Sequence, residues 1–93
     1  MLESYIEKKV SDYAKSLNFI TFKFSSPSNR GVPDRIFIKE GKIFFIEFKR
    51  PKGHLRKLQK YTIQKLINEK VDVYVIDDVE QGKKLIDNFY KKA

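Results

Sequence analysis

The 93-residue chain contains no cysteine and only one histidine. The first absence excludes a disulfide framework, a thiolate zinc site and a cysteine nucleophile. The second excludes a multi-histidine metal centre. No apolar run is long enough to span a bilayer and no signal-peptide pattern opens the chain, so the expected compartment is a reducing cytoplasm with no membrane partner. Acid is also scarce: twelve Asp and Glu face twenty Lys and Arg, a formal net charge of +8. Charge of that sign suits a polyanion, nucleic acid first. Repeats, low-complexity tracts and linkers are lacking as well, so residues 1–93 read as one domain with a modest core. What the chain does have is apolar material, 41% of residues with eight Phe and five Tyr, enough for globular folding rather than disorder.

Periodicity places the elements. Residues 3–17 carry Ile6, Val10, Tyr13, Ala14 and Leu17 at helical spacing. Phe19 to Phe24 alternates as a strand, with Phe19, Thr21 and Lys23 on one side and Ile20, Phe22 and Phe24 on the other. "SSPSNRGVP" is a loop whose final proline favours an extended start to the next segment. Strands are expected over 34–39 and 43–49 around Glu40-Gly41, a helix over about 55–69 and a strand over 71–76. A last helix opens at Asp78-Val79-Glu80-Gln81, which resembles a capping box. The order α-β-β-β-α-β-α argues for an α/β fold, a mixed four-stranded sheet flanked by helices.

Charged residues interrupt the two Phe- and Ile-rich strands at one end. A two-residue turn at Glu40-Gly41 pairs Lys39 with Lys42, Phe37 with Phe44 and Asp34 with Glu47. A four-residue loop keeps that register, whereas an odd loop without a bulge slips it and separates the acids. Paired residues share a sheet face, and Lys49 lies on it too, two residues past Glu47. Taken singly, Glu47 and Lys49 read as an edge-strand ion pair and Asp34 as a turn cap. Taken together, two opposed carboxylates repel unless a cation sits between them. Oxygen ligands favour Mg²⁺ or Mn²⁺ over zinc, and the Lys49 ammonium is placed to orient water or steady charge on a phosphate.

Pro33-Asp34 followed by Glu47-Phe48-Lys49 resembles the PD-(D/E)XK nuclease signature. The wider string, Gly31-Val32-Pro33-Asp34 with Glu47-x-Lys49-x-Pro51, Gly53 and Gln59, resembles the virus-type replication-repair nuclease (VRR-NUC) family of phages. The resemblance covers nearly the whole chain and implies a restriction-endonuclease-like core. It implies a deoxyribonuclease dependent on Mg²⁺ or Mn²⁺, in which Asp34 and Glu47 bind metal, Lys49 assists catalysis and the Phe48 carbonyl adds a ligand. The family's glutamate in its first helix falls on Glu7, with Glu3 one turn earlier as runner-up. Ser4-Tyr5-Ile6-Glu7 also fits a capping box. Gln59 shares a helical stripe with Leu55, Thr62 and Leu66, an amide where an apolar residue would pack. It is expected either to reach the active-site face or to sit at a solvated boundary.

Stand-alone phage members of the family resemble homodimers acting on branched DNA such as four-way (Holliday) junctions, which implies a bacterial host cell as the setting. Exposed aromatics such as Tyr61, Tyr74 or Tyr90 are candidates for a dimer surface. Residues 49–60 carry six Lys or Arg and no acid, so Arg50, Lys52, Arg56, Lys57 and Lys60 are candidate phosphate contacts. His54, Arg30 and Arg35 join them. The rival readings are a non-catalytic basic module for DNA or RNA, and a restriction-like or end-processing nuclease of the same fold.

Overall fold

The computed structural model describes residues 1–92. Its elements are α1 (Glu3–Ser16), β1 (Ile20–Lys23), β2 (Arg35–Lys39), β3 (Lys42–Phe48), α2 (Lys57–Asn68), β4 (Val73–Ile76) and α3 (Val79–Lys92), in the expected order. The strands form one mixed sheet in the order β1-β2-β3-β4. The first three are antiparallel, and β4 runs parallel to β3. A parallel neighbour needs a crossover, and α2 provides it.

The β2–β3 hairpin closes as expected. Glu40 and Gly41 have φ of 49° and 79°, and Lys39 pairs with Lys42. Positive φ at both central residues marks the tight turn whose twist suits a hairpin; glycine adopts it freely and glutamate less so. Boundaries shift where the backbone departs from helical geometry. Arg56 is extended (ψ 159°), so α2 starts at Lys57 and leaves Leu55 in the preceding loop. Helix α1 starts at Glu3 behind Leu2, which puts Ser4 and Glu7 inside the helix rather than in a capping box. Asp78 does cap α3: its Oδ2 accepts the Gln81 N–H at 2.9 Å.

The two sheet faces are covered unequally. Helices α1 and α3 pack on the inner face. There Ile6, Val10, Ala14 and Ile86 seal Phe37, Phe44, Ile46, Phe48 and Ile76 into one core. The Phe44 ring stacks between Phe37 and Phe89, with centroids 5.2 and 4.0 Å away, and takes edge contacts from Phe19 and Tyr74. Of the expected dimer-surface aromatics, Tyr74 is therefore spent on the core, while Tyr61 and Tyr90 are exposed. The outer face is covered only at the end where α2 lies. In β3, Glu47 is buried there, whereas Phe45 is half-buried and Ile43 exposed further along the same face. Beyond α2, Ile20, Phe22 and Ile43 are 51%, 59% and 50% exposed.

Candidate active site

The hairpin register carries Asp34 opposite Glu47, one step beyond the Arg35–Ile46 pair. Asp34 is clamped from both sides. Its main-chain carbonyl accepts the Phe24 N–H at 2.7 Å, and its Oδ2 accepts the Phe48 N–H at 2.8 Å. The loop before it is held by a close approach. A Cβ on Gly31 would collide with Thr62 Oγ1 and lie 2.7 Å from the Leu58 carbonyl, so only glycine lets the chain rest on α2 three residues before Asp34.

Glu47 is 2% exposed. Its Oε2 accepts a hydrogen bond from Gln59 Nε2 at 2.8 Å and lies 3.4 Å from Lys49 Nζ. Gln59 Oε1 in turn accepts the Arg56 N–H at 2.8 Å. That bond fixes the amide so that its donor end must face the carboxylate. Gln59 is thus buried and reaches the acidic cluster while tying down the start of α2. The other Glu47 oxygen, Oε1, is buried and lacks a hydrogen-bond partner among the described residues.

The electrostatics point the same way. Burial, then repulsion from Asp34, pushes the Glu47 carboxyl up to about 7, against the opposing pull of Lys49. Burial also raises Asp34, opposed by the Phe48 N–H and reinforced by the charges of Glu7 and Glu3. Two carboxyls and one ammonium leave the cluster short of positive charge. An unpartnered buried carboxylate oxygen and an all-oxygen donor set fit a hard divalent cation.

Glu7 occupies a different setting. Its Oε2 lies 2.7 Å from Lys23 Nζ and 3.2 Å from Arg35 Nη1. Among the described residues no three His, Cys, Asp or Glu side chains are grouped closely enough to hold a metal as they stand. Arg35, expected among the phosphate contacts, is instead engaged inside the protein. It sits two residues before Phe37, so alternation turns it to the inner face, where it bonds Glu7 and Thr21 Oγ1. Sequence reasoning missed this cluster, although Thr21 and Lys23 already fell on the Phe19 side of the first strand. The other basic candidates, Arg30, Arg50, Lys52, His54, Arg56, Lys57 and Lys60, are exposed, and most lie in the segment between Lys49 and Gln59.

No family model matches the chain. A curated phage protein, "Putative nuclease p44" of Acyrthosiphon pisum secondary endosymbiont phage 1, is 44% identical over 50 residues. The match covers 53% of this chain and 54% of that protein, so the chain spans about half the length of its curated relative. Among solved structures, one described as "VRR_NUC domain" aligns over 95% of this chain and 97% of its own, with a TM-score of 0.85 and 23% identity. On that likeness the chain has the fold of a VRR_NUC domain, a mixed four-stranded sheet flanked by helices.

Proposed function

We propose that this chain is a nuclease that hydrolyses DNA phosphodiester bonds with the help of Mg²⁺ or Mn²⁺. The observation that carries the reading is the pair Asp34 and Glu47, opposed on adjacent strands, with Glu47 Oε1 buried and unpartnered. Such a pair is costly in an apolar hairpin unless a cation compensates it. Asp34, Glu47 and the Phe48 carbonyl would hold the ion. Glu7, whose charge bears on Asp34, would join the set as a third carboxylate by turning away from Lys23 and Arg35, which hold it in the metal-free chain. A bound ion would supply a more acidic water and neutralise charge on the phosphate.

The chain's own residues do the rest. Lys49, largely shielded at 13% exposure beside Glu47, stabilises negative charge developing on the phosphate. Gln59 keeps the Glu47 carboxylate turned toward that point. The exposed cations from Arg50 to Lys60 hold the DNA backbone without reading bases, which suits selection by DNA shape. Branched DNA such as a four-way junction is the proposed substrate, met by a homodimer whose two sites face the two-fold partner strands. The open apolar strip of Ile20, Phe22 and Ile43 beyond α2 supports a second copy seated on the outer face.

The test is incubation of labelled four-way, flap and linear duplex DNA with Mg²⁺ or Mn²⁺. Wild-type protein is expected to cut the junction in preference to the linear duplex. Asp34→Ala and Lys49→Ala are expected to bind DNA yet leave it intact. Binding without cleavage by the wild type would instead mark a non-catalytic module. Preferential cutting of linear ends would mark an end-processing enzyme.

A further inference from the structure

A concavity lies between the loop that leads to Asp34 and the helix that carries Gln59. The 27–32 loop and α2 enclose a cleft of about 500 Å³, within the usual size range of small-ligand sites. Its apolar lining comes from Val32, Leu58 and Leu66, and Thr62 adds a hydroxyl. Arg30 and Lys65 bring two cations to it, and no acidic side chain lines it among the described residues. Tyr61 stands at its rim, 64% exposed, with the Lys65 ammonium 5.4 Å from the ring centroid. The ring is open to a ligand, and the charges lining the cleft are of one sign.

We propose that this cleft binds one unpaired nucleotide of a DNA strand, its base stacked against Tyr61 over Leu58 and Leu66, and its phosphate held by Arg30 and Lys65. The chemistry is that of single-strand recognition, in which an aromatic platform takes any base and nearby cations take the backbone. Position gives it purpose. Gly31 rests on Thr62 and Leu58, so the cleft wall and Asp34 belong to one short loop. Leu58 adjoins Gln59, which contacts Glu47. A strand held in the cleft would lie against the same loop and helix that carry Asp34 and Gln59. The inference rests on the nuclease reading for its purpose and narrows it: the substrate presents an unpaired nucleotide beside the cut site, as junctions and flaps do and a blunt duplex does not.

The experiment is a titration of ¹⁵N-labelled protein, without divalent metal, with 5′-phosphorylated trithymidylate, thymidine monophosphate and a blunt duplex. The trinucleotide and the mononucleotide should both shift the amide signals of Asn29, Val32 and Thr62. Tyr61→Ala should weaken trinucleotide binding roughly tenfold or more, and Tyr61→Phe should restore it, since stacking and not the hydroxyl is at work. Affinity for the blunt duplex should be unchanged in Tyr61→Ala. Three outcomes would overturn the proposal: shifts confined to residues 50–57, trinucleotide affinity unchanged in Tyr61→Ala, or an equal loss of duplex binding in that variant. Because no metal is present and no bond is cut, failure of the nuclease reading would appear separately, as absent cleavage.

Discussion

The inner and outer faces of the sheet grow from the same strands, yet they treat ionised groups in opposite ways. At the inner edge one carboxylate, Glu7, meets two cations, Lys23 and Arg35, at 2.7 and 3.2 Å. At the outer face two carboxyls, Asp34 and Glu47, stand opposed, and one ammonium, that of Lys49, lies 3.4 Å from the buried acid. The first arrangement satisfies its charges; the second does not. Apolar groups show the same contrast. Phe44 is sealed among rings on the inner side, while Phe22 and Ile43 are half in water on the outer side. The inner face holds the fold together, and the outer face keeps unmet demands for positive charge and for apolar contact. A partner, ionic or macromolecular, would meet them.

The comparison breaks most sharply at Glu47. Replacing it by Gln should lower the cleavage rate at least ~100-fold, the scale seen when one preorganised electrostatic group is removed from an active site. Folding of the metal-free variant at neutral pH should be no weaker than wild type, because a buried, under-compensated charge is gone. A Glu47→Gln protein that still cuts at wild-type rate would remove the acid from the mechanism.

Next in size is the contrast between the aromatic rings. Phe44→Ala should cost about 3–5 kcal/mol of unfolding free energy, the range for deleting a buried aromatic. Phe22→Ala should change monomer stability by less than about 1 kcal/mol while weakening self-association in sedimentation experiments. Similar losses for both would show that the outer face is as much core as the inner.

A smaller effect is expected from pH. Glu47 holds its proton up to about 7 in the folded chain, against 4.5 for the free group. Between those values the folded state binds more proton than the unfolded, so the stability of the metal-free protein should fall as pH rises from about 4.5 to about 7. The fall should be smaller in Glu47→Gln, where the raised carboxyl of Asp34 remains, and Mn²⁺ should raise the melting temperature at pH 8 in wild type alone. A wild-type stability that climbs through this window would contradict the assignment. Smallest of all is Lys23→Ala. Its ammonium end is 72% exposed, so thermal denaturation should register a loss under about 1 kcal/mol.

Much of the cluster was legible in the primary structure. Side-chain alternation has a period of two, so once Glu40-Gly41 is recognised as a turn, the opposition of Asp34 and Glu47 follows by counting. Gln59 stood out because an amide interrupts an apolar stripe, and it does face the carboxylate. Arg35 lies beside Asp34 in the chain but bonds Glu7 and Thr21 on the inner side, because alternation turns neighbours to opposite faces. Tyr74 packs against the core, since an aromatic residue in a short apolar strand gives no sign of which face will be covered.

The order of elements, the hairpin register, the sign of the charge and the acid–acid–lysine grouping were all set by the chain, since each rests on local spacing or simple counting. Only the tertiary structure decided that α1 and α3 seal one face, that α2 shelters just the Glu47 end of the other, and that the 27–32 loop and α2 enclose a cleft. Those outcomes depend on contacts between segments far apart in the chain, and alternation names two faces without saying what will lie against either.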